Sequence, residues 1–387
     1  MTLLLAVIYA AFISLGLPDA VVGAAWPSMT PDLGADPAAA GLVSMTVSAS
    51  TILASFASGF LLRTLGTWKV SVASIGLTAI ALLGYSAVPN FGWLIALSIP
   101  LGLGGGAIDT ALNAYVALHF SANHMNWLHA SWGIGASTGP LIVGWYLNVF
   151  DEWRPAYITI AVLQFGLMAL VWSSRKHWPP ETVEAEQSDD DAAASRVHVP
   201  FYRLPNIWPI LASFFLYTGL ELTTGLWSAT FLVRHHHMDE DMAAAGAAAF
   251  YIGITGGRIL AGFLTKKLSN PQLLRTGSFI VVLGAATVLV IAHPWAALVG
   301  FVLVGVGCAP VYPAMLKETA RRFGAENTQR IMGLQMGLAY TGSLTVPPLV
   351  GLLVTRVGPL TLPIVVLVMA TIMWAFNERV EGTLAAR

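Results

Sequence analysis

The chain has 387 residues, of which 56% are hydrophobic and 10% charged, with a mean hydropathy of +0.71. Soluble domains carry roughly 25% charged residues, so this composition cannot build a water-facing surface and marks an integral membrane protein. The net charge of -1, with no long basic block, gives no sign of a nucleic-acid partner, and Cys308, the sole cysteine, excludes an internal disulfide or a cysteine-based metal site.

The first apolar run starts at Thr2 without a basic leader, passes signal-peptide length and ends without a small-residue cleavage site, so it reads as a retained first helix. A helix needs about 20 apolar residues to cross the hydrocarbon. Segments of that size fall at 3–26, 40–62, 69–88, 91–118, 127–149, 155–174, 207–233, 244–265, 276–293, 295–316, 329–354 and 359–377. None alternates polar and apolar residues as a membrane barrel does. The spacing therefore predicts an all-α membrane protein with twelve transmembrane helices in two six-helix bundles.

The longest polar stretch, 175–206, holds an acidic cluster and two prolines and reads as a solvated linker. It divides the chain into an N-terminal six-helix bundle (1–174), the linker (175–206) and a C-terminal six-helix bundle (207–387). The halves look like repeats. Segment one reads GLPDAVVGAAWP and segment seven GLELTTGLW, each with an acid, a glycine four residues on, and then a tryptophan. Parallel six-helix repeats fit the major facilitator fold.

Lys and Arg orient the chain. With the N-terminus inside, fifteen of them fall on inner connections or the C-terminal tail, and only Arg154, Arg234 and Arg356 on outer ones. Both termini and the linker are therefore expected in the cytoplasm, in a cell inner membrane.

A charge at mid-bilayer costs about 2.5 kcal/mol or more, so charged residues inside spans need a reason. They are Asp19, Asp109, Glu221 and Arg258, with His129 a little way into segment five. Asp19 follows Pro18 and Asp109 follows Gly104-Gly105-Gly106, residues that loosen a helix and admit close neighbours. Two carboxylates in one half suit a proton relay, or else are structural hydrogen-bond partners. Glu221 and Arg258 on adjacent segments read as an ion pair, structural or gating. His129 is either an interfacial histidine or a proton-transfer group.

Trp26, Asn113, Trp132, Gln164, Tyr217, Trp227, Tyr251, Tyr312, Gln335 and Tyr340 add amide and aromatic groups inside the spans. Amides bond hydroxyls and aromatic faces cover sugar rings, so such a lining suits a sugar. Asn113 stands one helical turn from Asp109, on the same face. His235, His236 and His237 beside Asp239, Glu240 and Asp241 read as a solvated outer loop rather than a metal site. No phosphate-binding G-x-x-x-x-G-K-[ST] loop, nucleophile–base pair or metal-ligand spacing occurs, so neither ATP-driven pumping nor an enzyme is expected.

At these residues the chain resembles the major facilitator superfamily, and within it the fucose–galactose–glucose:proton symporter branch. The likeness covers nearly the whole chain. Gly102-Leu103-Gly104 running into Asp109-Thr110-Ala111-Leu112-Asn113 is similar to the Gly-rich fourth helix of that branch, where the acid is Glu, one methylene longer. Asp19 is similar in place to its first-helix proton-coupling Asp. Tyr217-Thr218-Gly219-Leu220-Glu221 with Trp227 resembles its Y-x-G-x-[EQ] helix, and Gly257-Arg258 with Gly262 its G-R-x-x-x-G helix. Leu128-His129-Ala130 through Gly133 and Gly135 resembles an L-H-x-x-x-G-x-G pattern. The superfamily's loop signature is degenerate at Gly59 to Gly66, with Arg63 where Asp is usual.

The resemblance implies proton-coupled symport of a sugar or similar polyhydroxy solute. Asp19 and Asp109 would couple the proton. Asp109, Asn113, Trp26, His129, Trp132, Tyr217, Glu221, Trp227, Gln335 and Tyr340 would form the solute site, and Glu221 with Arg258 the charge pair. A monomer in the bilayer is expected, with protons or sodium as the coupling ion and no organic cofactor. The rivals are a proton-driven exporter of drugs or metabolites, and a sensor that moves nothing and would be marked by an added soluble domain. The charge asymmetry predicts that alkaline phosphatase fused after Ser188 is inactive in cells; high activity there would reverse the orientation.

Overall fold

A computed structural model describes residues 2–120, 122–178, 200–265 and 267–385. Most of the 175–206 linker, Ser188 included, lies outside the described residues. Thirteen helices are present among those described: α1 (Thr2–Asp19), α2 (Val21–Leu33), α3 (Ala40–Leu65), α4 (Thr67–Ser86), α5 (Phe91–His119), α6 (Ala122–Phe150), α7 (Arg154–Ser173), α8 (Ile207–His236), α9 (Glu240–Leu264), α10 (Asn270–Val290), α11 (Pro294–Phe323), α12 (Ala325–Arg356) and α13 (Thr361–Ala385). Because α1 and α2 make one broken span, the count is the expected twelve. Ten of these spans are long and apolar enough to cross a membrane by length and composition among the described residues. The spans form two six-helix bundles.

Several helices exceed their apolar segments. The first was expected to end at residue 26; it runs on to Leu33 and is interrupted at Ala20. Pro18 explains the break, since it lacks the N–H that would continue the backbone ladder. The break leaves Asp19 as the last residue of α1. His235 and His236 close the last turn of α8 instead of lying in a loop. Large apolar side chains such as Phe56, Phe60 and Phe263 stand exposed on the outside, where only lipid can cover them.

Within lipid, helices associate through close backbone packing, and small residues permit it. Helix α6 carries Gly135 and Gly139 four residues apart. A Cβ at either would collide with the carbonyl oxygen of Ile13 or Leu17 on α1. Its next face holds Gly133, which lies against Thr255 of α9, in the other bundle. Helix α6 thus joins α1 within its bundle to α9 across the interface.

The two ends of the molecule differ. At the end away from Arg63, Lys69 and Arg203, the bundles touch. Ser28 on α2 donates to Glu240 of α9, and Asn148 Nδ2 on α6 donates to Asp241 Oδ2 at 2.8 Å. Gly41 of α3 lies against Pro348 of α12, and Gly23 of α2 against the Gly225 and Leu226 carbonyls of α8. At the basic end, Gly333 and Gly337 on α12 face open space. Basic residues there are held within the second bundle: Arg321 and Arg322 reach Glu381 at 2.8 and 2.9 Å, and Arg275 pairs with Glu378.

Gly41 therefore packs against the other bundle and not within its own. Gly41→Val is expected to leave the melting temperature near wild type while increasing labelling of Ser44→Cys by a membrane-impermeant maleimide. A large drop in melting temperature without increased labelling would assign Gly41 to the folding core instead.

Candidate functional site

Between the bundles lies a cavity of about 380 Å³, within the size range of small-molecule pockets. Helices α1 to α6 line it from one side and α8, α9 and α12 from the other. One part of the wall is apolar, with Phe12, Leu15, Val43, Val47, Ile75, Leu101, Leu222 and Leu226. The rest carries the chemistry.

Asp19 reaches the cavity from the helix break, and its carboxylate is solvent-accessible there. Its Oδ2 accepts a 2.6 Å hydrogen bond from Trp132 Nε1 on α6. Asp109, on α5, also faces the cavity. Asn113 Nδ2 donates to Asp109 Oδ1 and to the Asp109 carbonyl oxygen, both at 2.9 Å. The one-turn spacing thus brings the pair together as hydrogen-bond partners. The Asn113 amide is already engaged, and the residue stands beside the cavity wall, not in it.

Arg258 and Glu221 face the cavity from the second bundle. Their nearest approach, Nη2 to Oε1, is 3.9 Å, an ion pair without a hydrogen bond. The guanidinium instead sits over the Trp132 ring at 4.8 Å and donates from Nη1 to the His129 carbonyl oxygen at 3.3 Å. Tyr251 lies edge-on to Trp132, with ring centres 6.3 Å apart. His129, Trp132 and Tyr340 all line the cavity, His129 with its ring edge-on to Phe12 at 5.9 Å.

Four other expected site residues lie off the wall, each for a packing reason. Trp26 is fully buried and donates from Nε1 to the Pro37 carbonyl at 2.8 Å. Trp227 is likewise buried and donates to the Pro347 carbonyl at 2.9 Å. Tyr217 turns into its own bundle, donating to the Cys308 carbonyl at 3.1 Å. Gln335 Oε1 accepts from Thr319 at 3.0 Å, while its Nε2 has no partner among the described residues. Buried polar tips favour a hydrogen bond, and the two indoles and the phenol find theirs in backbone carbonyls, while Gln335 satisfies its oxygen on a threonine.

The cavity also holds a row that hydropathy reading passes over: Ser44, Ser48 and Thr51 on α3, with Thr218 and Ser343 opposite. Thr51 donates to the Gly102 carbonyl at 3.2 Å, whereas Ser44 and Ser48 have no hydrogen-bond partner among the described residues. The signal was present in the sequence. Residues 44, 48, 51, 55 and 58 are all Ser or Thr at helical spacing, one polar stripe along an apolar helix. Among the described residues, no group of three His, Cys, Asp or Glu side chains is arranged to hold a metal ion.

Two bundles of apolar helices thus enclose a charged cavity. The chain belongs to the Major Facilitator Superfamily, whose family model matches residues 7–294 and 209–385. It is 24% identical over 272 residues to the glucose/mannose transporter GlcP of Bacillus subtilis, covering 67% of each chain. It is 22% identical over 352 residues to the membrane protein MosC of Rhizobium meliloti, covering 88% of this chain and 82% of that one. Among solved structures it superposes on the nucleoside transporter NupG with a TM-score of 0.78 at 14% identity, over 98% of this chain and 99% of the other. A bacterial homologue of the human lysosomal transporter Spinster, in an inward-facing and occupied conformation, gives 0.74 at 13% identity, over 98% and 96%. These structural likenesses fix the fold.

The pairing of Arg258 with Glu221 makes a prediction of its own. Removing one partner of a buried pair strands the other charge, which in a fully dry site costs about 3–5 kcal/mol; water in this cavity reduces the cost. Arg258→Gln is expected to lower the melting temperature, and the double variant Arg258→Gln/Glu221→Gln to recover most of it. Equal losses in single and double variants would remove the pairing as a stabilising contact.

Proposed function

We propose that the protein is a proton-coupled symporter of a sugar or similar polyhydroxy solute, working by alternating access from an inner membrane with both termini cytoplasmic. The observation that carries this reading is the composition of the cavity between the bundles. Two carboxylates, Asp19 and Asp109, share it with a row of hydroxyls on α3 and with aromatic faces. Asp19 takes the proton, because a helix break leaves its carboxylate open to water in the cavity. Asp109 binds or couples the solute, and Asn113 holds its carboxylate in place.

Ser44 and Ser48 contribute hydroxyls that can donate and accept at once, which matches the hydroxyls of a sugar. The glucose/mannose transporter among the relatives supports the sugar class. The 15-to-3 distribution of Lys and Arg supports the orientation. In that orientation the end sealed by Gly23 and Gly41 faces outward, and the basic end faces the cytoplasm.

The test uses purified protein in vesicles with labelled D-glucose and D-mannose as probes. Solute addition is expected to drive proton influx, and an inward proton gradient to drive solute accumulation. Asp19→Asn keeps the size of the side chain but cannot exchange a proton. It is expected to abolish accumulation while sparing exchange of solute down its gradient. Full accumulation by folded Asp19→Asn would remove Asp19 from the mechanism. Accumulation driven by a sodium gradient alone would replace the proton.

A further inference from the structure

The titratable groups that face Asp19 in the cavity come from the helices around it: Asp109 on α5, His129 on α6, Glu221 on α8, Tyr251 and Arg258 on α9, and Tyr340 on α12. None of these donates a hydrogen bond to its carboxylate among the described contacts. The donor is the indole of Trp132, at 2.6 Å. The same ring carries the Arg258 guanidinium on its face at 4.8 Å and Tyr251 at its edge. Arg258 in turn stops 3.9 Å short of Glu221. One side chain therefore touches the acid of the first bundle and the cation of the second. It does so from α6, beside the point where Gly133 meets Thr255 of the second bundle.

We propose that Trp132 is a positioning residue that transmits the charge state of Asp19 to the Arg258–Glu221 pair across the bundle interface. The inference rests on the reading of Asp19 as the proton site. A hydrogen bond to an ionised carboxylate is about twice as strong as one to a neutral group. When Asp19 takes a proton from cavity water, an O–H bond forms on the carboxylate and its charge disappears. The indole is then held less firmly and turns, and the guanidinium loses its platform. Arg258 closes the remaining gap to Glu221 and forms a direct, hydrogen-bonded pair. Return of the proton to water restores the first arrangement. The interface thus has two discrete charge arrangements, and proton occupancy biases the choice between them.

The test needs no solute. Spin labels at Phe60→Cys on α3 and Gly333→Cys on α12, in a Cys308→Ala background, report the separation of the bundles at the basic end. Between about pH 5 and about pH 8, the ratio of open to closed populations is expected to change about fivefold or more with the native site. Asp19→Asn is expected to abolish that dependence. Trp132→Phe keeps an aromatic ring for the guanidinium but has no N–H, and is expected to reduce the change below about twofold. Arg258→Lys keeps the charge but not the planar stacking group; it gives the same flattening and decides the matter if Trp132→Phe does not fold.

Native pH dependence in both folded variants, with Asp19→Asn flat, would overturn the role of Trp132 and leave Asp19 as the proton site. Native pH dependence in Asp19→Asn, or none with the native site, would overturn the reading of Asp19 and this inference with it.

Discussion

The cost of placing charge in hydrocarbon shapes the middle of this molecule. Asp19, Asp109, Glu221 and Arg258 lie within apolar spans, and all four face one cavity between the bundles. Each is kept wet, paired or hydrogen-bonded: Asp19 by the Trp132 indole, Asp109 by Asn113, and Glu221 and Arg258 by each other's proximity. The arrangement avoids exposing any of the four to lipid, where the penalty is highest. It also concentrates them where a solute and a proton can reach them together. The break between α1 and α2 follows the same logic, since it aims Asp19 inward from a span that otherwise packs as an apolar rod.

Helix α6 links this chemistry to both bundles. Its Gly135 and Gly139 seat it on α1, and its Gly133 seats it on α9. A helix seated against the α1 backbone on one side and the Thr255 side chain on the other has little slack, because packed interfaces resist continuous deformation. Trp132 stands beside that contact and its side chain spans the interface. At one end the bundles meet through Gly23, Gly41 and the hydrogen bonds to Glu240 and Asp241; at the other, Gly333 and Gly337 stand clear. The contacts that close one end are small and polar, of the kind that can part and reform.

How much of this was legible beforehand differs by level. The twelve spans could be read because a helix in lipid must satisfy its backbone internally and be apolar over about 20 residues, a property of the local sequence. Pro18 reads in the sequence as loosening the first helix, whereas a boundary between two helices there does not. Inside the spans, the four charges announced themselves, since each is costly there. The hydroxyl row on α3 does not stand out in the sequence because uncharged serine and threonine cost little inside a span, where they can bond back to the preceding turn, and so carry no such signal.

The sequence by itself determined the membrane class, the number of spans, the two-bundle repeat and the four charged residues that had to be accommodated. Tertiary structure alone decided which polar side chains share a wall. Trp26, Tyr217 and Trp227 have the same chemistry as Trp132 and Tyr340, but the first three turn into their bundles toward carbonyls, and the last two turn toward the cavity. Span composition cannot separate these cases, because rotation about a helix axis is set by the neighbours it packs against. The contact of Trp132 with Asp19, 113 residues away, and with Arg258 in the other bundle exists only once α1, α6 and α9 meet.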